Sequence, residues 1–149
     1  MKISHHLKKK VQVVVVRYDK AIQQWFILRL RTNKKRGRFW QNVTGSIEVY
    51  DKSFKQGALR ELREETNIKL KGVLKCTSLK FEYRYFSKQG MPILEKCFVA
   101  IVKGDKIKID SKEHDLYEWK TIEKIKKSDY KHPLNFKASR LAIDRINHQ

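Results

Sequence analysis

One strongly marked helix among strand-forming runs constrains this chain more than any other feature. Gln56 follows Ser53 by three residues, which is the spacing of a helix-capping box. The segment continues as FKQGALRELREET, and Asn67 can adopt the left-handed conformation that ends a helix. Gly57 lowers helix propensity locally. The pattern predicts one capped helix over residues 54–66.

Strand-forming runs lie on both sides of this helix. β-Branched and aromatic-rich segments predict long strands at residues 11–18, 25–31, 73–86 and 93–102. The turn SKQGMP joins the last two runs as a hairpin. Shorter strand candidates are residues 39–43, 106–109 and 116–120, and further helix candidates are residues 121–128 and 135–149. The predicted class is α/β or α+β with a mixed sheet.

Length and hydropathy indicate a single domain over residues 1–149. Residues 1–9 predict a flexible basic N-terminus, and the His5–His6 pair within it is too short to argue for a metal site. The N-terminus contains no apolar signal segment, and the apolar runs are too short to cross a membrane. We therefore expect a cytoplasmic protein that does not bind membranes. Cys76 and Cys97 lie in apolar runs without metal-binding spacing and are expected to be reduced core thiols.

The charge balance favours anionic partners. Lys and Arg number 35 against 16 Asp and Glu, a formal net charge of +19. Such a field attracts nucleotides, nucleic acids or anionic membrane surfaces. A lysine-rich genome would give the same bias, so charge alone does not identify the partner.

The scarce acidic residues gather on the predicted helix. At about 100° per residue, Glu61, Glu64 and Glu65 fall together beside the burying stripe of Ala58 and Leu62. Like charges at these spacings repel each other, and the repulsion can be offset in two ways. Neighbouring arginines and solvent are one, and a hard divalent cation with oxygen ligands is the other.

The segment from Gly45 through the helix resembles the Nudix box, G-x5-E-x7-R-E-U-x-E-E-x-G-U, where U is a bulky apolar residue. The residues that match are Gly45, Arg60, Glu61, Leu62, Glu64, Glu65 and Ile68. The spacing from Gly45 to Arg60 is one residue too long, Asp51 or Lys52 replaces the first glutamate, and Asn67 replaces the last glycine. In the family that glutamate supports the arginine, a role that Asp51 can take with Arg60.

Flanking segments are similar to the dihydroneopterin triphosphate and dATP pyrophosphatase branch of this family. These segments are FWQNVTGSIE, LEKCFVAI with Glu95, and EHDLYEW with His114. The resemblance implies the Nudix fold, in which a mixed β-sheet is sandwiched between helices. We also expect Gly45 to lie in a loop that leads into the box helix.

The resemblance also implies a Mg²⁺-dependent pyrophosphohydrolase, with Mn²⁺ as a substitute. It would cleave a nucleoside triphosphate or dihydroneopterin triphosphate to a monophosphate and pyrophosphate. The metal ligands implied are Gly45, Glu61, Glu64, Glu65 and Glu95. Glu64 and Glu95 are alternative general bases, and Arg60 orients the carboxylates by bidentate pairing.

Candidate substrate-binding residues lie outside the box. Arg29, Arg31 and Arg38 are expected to flank the pocket mouth and clamp phosphate, although ordinary surface charge is the alternative. Trp40 and Tyr83 can stack on a base or pterin, with core packing as the alternative, above all for Trp40. Phe81 and Tyr85 can also stack on a base or pterin, and His114 can act as a general acid or contact phosphate.

Other functions stay open at this point. The basic stretch RLRTNKKRGR can guide the 5′ end of RNA in a decapping-type enzyme, and dinucleoside polyphosphates or nucleotide sugars are other substrates. The imperfect box also permits a nucleotide-binding module that has lost catalysis. The sequence leaves open a monomer or a homodimer.

Overall fold

The computed structural model describes residues 7–148. A seven-stranded mixed sheet forms the centre, with the path β3-β2-β1-β6-β5 and with β4 added to β1 and β7 to β2. The strands are β1 (Lys8–Asp19), β2 (Gln24–Thr32), β3 (Trp40–Gln41), β4 (Val43–Ser46), β5 (Val73–Phe86), β6 (Pro92–Val102) and β7 (His114–Thr121). The helices are α1 (Phe54–Thr66) and α2 (Pro133–Asn147).

Strand β1 is the centre of the sheet because its β-branched residues are buried on both faces. Val11, Val13 and Val15 pack on one side with residues of α1, including Leu62. Val14 and Val16 face the opposite side, against α2. Strand β6 runs parallel to β1, and the other pairings are antiparallel. The predicted mixed sheet between helices is therefore confirmed.

The ends of α1 follow the predicted signals. The Ser53 hydroxyl accepts a hydrogen bond from the Gln56 backbone N–H, and Asn67 ends the helix with φ 62°. The Gln56 side chain bonds the backbone N–H of Lys52, one residue before the position that a reciprocal capping box uses. The hairpin of β5 and β6 is also confirmed.

Several local predictions are wrong. Residues 106–109 form no strand, because the Lys108 N–H bonds the Thr66 carbonyl at the end of α1 while Ile107 and Ile109 pack on the core. Residues 121–128 form no continuous helix but contribute to two 3₁₀ turns, Ile122–Lys124 and Lys127–Asp129.

The predicted flexible N-terminus is wrong for Lys8 and Lys9, which pair with β6 as the first residues of β1. The rest of that prediction, including His5 and His6, lies outside the described residues. Within residues 7–148, no helix is both long and apolar enough to cross a membrane.

Candidate active site

Arg60 is the hub of the box helix. Its guanidinium donates to both carboxylate oxygens of Asp51, with Nη2–Oδ2 at 2.9 Å, and to the Ser46 carbonyl at 2.8 Å. Its Nη1 donates to Glu61 at 3.1 Å and Glu64 at 3.0 Å. The hydrogen bonds from Arg60 hold the pKa of Asp51 below its ordinary value, and those to Asp51 raise the pKa of Arg60. The predicted Asp51–Arg60 pairing is confirmed.

Gly45 lies in a strand, so the prediction of a loop glycine is wrong. It pairs with Val11 as part of β4, and the Glu61 carboxylate rests against its backbone. A Cβ at position 45 would lie 2.0 Å from the Glu61 carboxyl carbon. Any side chain there would displace the Glu61 carboxylate, which explains the glycine by close approach.

Glu65 is buried with little compensation, because the Thr44 backbone lowers its pKa by less than burial raises it. Its side chain is 1% exposed, and neither carboxylate oxygen has a hydrogen-bond partner among the described residues. Burial raises the pKa of Glu65 well above its ordinary value, and the neighbouring Glu61 and Glu113 raise it further. Burial also raises the pKa of Glu61. An ionised carboxylate in such surroundings is costly, so Glu65 needs either a proton or a cation.

Glu64 differs from its two helical neighbours. Its side chain is 47% exposed and ion-paired with Arg60. The three glutamates are neighbours, as their helical spacing predicts, because Arg60 Nη1 donates to both Glu61 and Glu64 and Glu61 interacts with Glu65. They differ in exposure, since Glu61 and Glu65 are buried whereas Glu64 lies at the surface.

A second group of polar side chains approaches Glu65 from β7. The ligand atoms of Glu65, Glu113 and His114 all lie within 4.8 Å of one another. His114 is fully buried, and its Nε2 lies 3.0 Å from the Gln41 amide nitrogen. Burial lowers the pKa of His114 to about 4, which makes the imidazole neutral at pH 7.

A register shift places His114 in this group. Arg31 of β2 pairs with Leu116, but the next residue, Thr32, pairs with His114. The skipped residue is Asp115, and such a bulge changes which side chains face inward. The sequence places His114 beside Glu113 and Asp115 but gives no signal that Gln41 and Glu65 also lie near it, since a bulge leaves no signal in a short strand.

Glu95 occupies a different environment. Its Oε2 accepts from Gln12 at 3.2 Å and from the Tyr83 hydroxyl, and its Oε1 accepts from the Tyr85 hydroxyl at 2.9 Å. Gln12 faces the α2 side of β1, where Asn42 donates to its amide oxygen. Glu95 thus belongs to the α2 side of the sheet and contacts none of the box glutamates within residues 7–148.

A cavity of about 470 Å³ lies beside both groups. Lys10 and Arg36 provide positive charge, Phe39 and Tyr85 provide aromatic walls, and Glu95 lies on its α2 side. The remaining lining residues are Gln41, Thr44, Tyr83, His132, Pro133, Leu134 and Asn135. Through Gln41 the cavity adjoins the group of Glu65, Glu113 and His114.

The structure does not place the arginines of the predicted phosphate clamp in the lining of this cavity. Arg29 is 6% exposed, with its guanidinium bonded to the Asp129 carbonyl at 2.6 Å and to Glu118 at 2.7 Å. Its guanidinium also stacks on Trp40, 4.1 Å from a ring centroid. Burial and partners hold Arg29 and Trp40 in the scaffold and away from the cavity lining.

Arg31 and Arg38 do not line the cavity either. Both pair with Asp115. Arg36, which the sequence argument did not select, lines the cavity and pairs with Glu113 at 3.3 Å. Of the predicted substrate-binding residues, Tyr83 lines the cavity. His114 does not line it but contacts Gln41, which does.

Comparison with known proteins agrees with this architecture. An Ap4A hydrolase of C. elegans, in a binary complex, has a TM-score of 0.77 at 19% identity, covering 96% of this chain and 100% of that one. The E. coli dihydroneopterin triphosphate pyrophosphohydrolase has a TM-score of 0.72 at 22% identity, covering 93% of this chain and 98% of that one. These likenesses show the fold.

A curated relative, an octanoyltransferase of Myxococcus xanthus, is 32% identical over 96 residues. The match covers 62% of this chain and 26% of that protein, so this chain spans about a quarter of the relative's length. Residues 8–141 match the sequence model of the NUDIX domain. Because that match covers most of the sequence, the chain belongs to the Nudix hydrolase family, whose enzymes act on acid anhydrides in phosphorus-containing compounds.

Proposed function

We propose that this protein is a Mg²⁺-dependent pyrophosphohydrolase of a nucleoside triphosphate or pterin triphosphate. Water attacks phosphorus, one phosphoanhydride bond breaks, and the products are a monophosphate and pyrophosphate. The observation that carries the proposal is the buried Glu65 carboxylate with two unpaired oxygens beside Glu61. Its neighbouring cavity combines cationic and aromatic walls, which suit a triphosphate with a planar ring.

The donor set fits a divalent cation, which enzymes of this family generally use. Glu61, Glu65 and the Gly45 carbonyl would hold it, since two buried carboxylates require positive charge and Gly45 admits close approach. Mg²⁺ bound there supplies neutralisation of phosphate charge and a more acidic water. Arg60 fixes Glu61 and Glu64 through Nη1, while Asp51 anchors the guanidinium.

Glu64 is the better of the two candidate bases. Its recorded partner is Arg60, and the carboxylate is half exposed. Glu95 already accepts hydrogen bonds from Gln12, Tyr83 and Tyr85, so protein donors occupy both of its oxygens. We assign the proton of the attacking water to Glu64, and a positioning role at the cavity wall to Glu95.

Substrate contacts follow from the cavity lining. Lys10 and Arg36 are placed to bind phosphate oxygens, and Phe39 and Tyr85 to contact the planar ring. The three arginines of the basic stretch that lie outside the cavity are ion-paired: Arg29 with Glu118, and Arg31 and Arg38 with Asp115. This pairing reduces the charge available to guide RNA and favours a small triphosphate.

A substrate panel with product identification tests the proposal. It contains nucleoside triphosphates, dihydroneopterin triphosphate, dinucleoside polyphosphates, nucleotide sugars and 5′-triphosphate RNA. We expect Mg²⁺-dependent pyrophosphate release from a small triphosphate, with modest salt sensitivity. A preference for RNA that weakens steeply with salt would favour the decapping-type reading.

Charge-removing variants assign the chemistry. Glu64→Gln and Glu65→Gln should lower turnover at least about 100-fold, because each removes a carboxylate used in the reaction. Glu123→Gln, at an exposed glutamate of a 3₁₀ turn, is the matched control and should keep wild-type turnover. Absence of release by the wild type across the whole panel would instead support a binding module.

A further inference from the structure

The group of Glu65, Glu113 and His114 joins two elements that are distant in sequence. Glu65 comes from α1, His114 is the first residue of β7, and Glu113 precedes it. The Glu113 carbonyl accepts from the Asn33 N–H at 2.9 Å, and the His114 N–H donates to the Asp110 carbonyl at 2.9 Å. Both backbones are therefore fixed, and the side chains are held facing Glu65 by the fold.

Unpaired buried atoms concentrate at this group. Within residues 7–148, six buried side-chain nitrogen or oxygen atoms have no hydrogen-bond partner, and three of them are Glu65 Oε1, Glu65 Oε2 and His114 Nδ1. A buried polar atom without a hydrogen-bond partner destabilises the folded chain unless a ligand satisfies it. Such a concentration of acceptors is what a bound cation would satisfy, and both residues are at most 1% exposed.

Gln41 determines which ring nitrogen is free. Its amide contacts Nε2 of His114 and thereby occupies that nitrogen. In the structure the Gln41 amide nitrogen faces Nε2, so a cation at Nδ1 requires the amide to turn by 180° about its last side-chain bond. The amide oxygen then accepts from the Nε2 proton, and Nδ1 presents its lone pair. A partner that holds the distal ring nitrogen is the usual way in which a ligating histidine is oriented.

The distances permit one ion. An ion with bonds of about 2.1 Å can join two ligand atoms that are up to about 4.2 Å apart. The three ligand atoms lie within 4.8 Å of one another, so side-chain adjustments of roughly half an ångström complete the site. No backbone movement is required for a change of that size.

We propose that His114 and Glu113 are further ligands of the cation held by Glu65, which makes a mixed nitrogen–oxygen site that prefers Mn²⁺ and later first-row ions to Mg²⁺. Mg²⁺ is a hard ion that takes oxygen ligands, whereas an imidazole nitrogen suits transition ions. The inference deepens the proposed function, because it concerns the metal preference of the same carboxylates.

Metal binding without substrate is the test. Calorimetry on the full chain compares Mg²⁺, Mn²⁺ and Co²⁺ for the wild type and His114→Gln. We expect the variant to bind Mn²⁺ and Co²⁺ at least about 10-fold more weakly, with Mg²⁺ affinity changed less than about twofold. His148→Gln, at an exposed histidine beyond α2, should change no affinity.

Two outcomes would overturn the inference. One is an equal loss of Mg²⁺ and Mn²⁺ affinity in a folded His114→Gln variant, which would make His114 a purely structural residue. The other needs no variant: pulsed EPR of the Mn²⁺-loaded wild type should show coupling to a histidine ¹⁴N, and its absence contradicts nitrogen ligation. Hydrolysis is measured separately, so nitrogen ligation without turnover would reject the proposed function and keep the metal assignment.

Discussion

Two buried glutamates in this protein are satisfied in opposite ways. Glu95, 5% exposed on the α2 side of the sheet, accepts from Gln12, Tyr83 and Tyr85. Glu65, 1% exposed on α1, accepts from nothing in the described residues and lies beside two other carboxylates, Glu61 and Glu113. The fold thus surrounds one carboxylate with neutral donors and leaves the other without a donor among the described residues.

The difference separates stability from binding. A carboxylate with fixed donors stabilises the folded chain, and its removal leaves those donors unpaired. A carboxylate without donors destabilises the free protein and recovers that free energy when a cation binds. Burial alone would have classed Glu65 and Glu95 together, and their partners distinguish them.

The largest expected effect is on Glu65. Glu65→Gln should lower Mg²⁺-supported turnover at least about 100-fold and weaken divalent-cation binding, while Glu95→Gln should retain cation binding. In EDTA the melting temperature of Glu65→Gln should equal or exceed that of the wild type, because an unpaired buried carboxyl is removed. Calorimetry and thermal unfolding check both parts, and a melting temperature well below wild type in EDTA would show that Glu65 is already satisfied.

Glu95→Ala should destabilise the folded chain, whereas Glu65→Gln should not. The substitution leaves the Gln12 amide and the Tyr83 hydroxyl without their carboxylate, so the free energy of unfolding should fall by about 3 kcal/mol. Urea unfolding in EDTA measures the change. A decrease in the free energy of unfolding smaller than about 0.5 kcal/mol would remove the distinction between the two glutamates, because water would then replace the carboxylate as the acceptor for these donors.

The sequence predicted the parts of this comparison that depend on local periodicity. The capped helix, its glutamates and the β5–β6 hairpin follow from spacing and turn residues, and the Asp51–Arg60 pair followed from the box's departures. Partners set by strand register could not be read in this way. Glu95 meets Tyr83 and Tyr85 across a hairpin containing an irregularity between Ser78 and Phe81.

The sequence does not indicate which arginines form ion pairs with distant acidic residues. The pairing of Arg31 and Arg38 with Asp115, and of Arg36 with Glu113, depends on residues at or just before the start of β7, about 80 positions away in sequence. Composition showed a large excess of positive charge, but only the fold shows which cations are neutralised. Arg36 at the cavity therefore had no distinguishing signal beside Lys34 and Lys35.

Asp51 shows a third way in which a carboxylate of this protein is satisfied, because its donor, Arg60, is charged. Asp51→Asn should lower the free energy of unfolding by about 2 kcal/mol at pH 7, because charge-assisted bonds to Arg60 are lost. The folded pKa of Asp51 lies below the ordinary value of 3.8, so its contribution is full above that value.

The pH dependence of that difference is the check. As pH falls below 3.8 and through the folded pKa of Asp51, the wild type should lose its advantage and approach the variant. Unfolding curves at pH 7, 5 and 3 compare the two proteins. A gap that stays constant over this range would mean that the ionised form of Asp51 is not what stabilises the chain.

Tyr85→Phe is the smallest change and tests how evenly the donors to Glu95 share their effect. Only the bond to Oε1 is lost, while Gln12 and Tyr83 still serve Oε2, so the free energy of unfolding should fall by about 1 kcal/mol. Divalent-cation affinity should stay at the wild-type value, because Tyr85 belongs to the α2 side. If cation affinity fell with the hydroxyl, Glu95 and Glu65 would be parts of one site, and the separation between them would have to be abandoned.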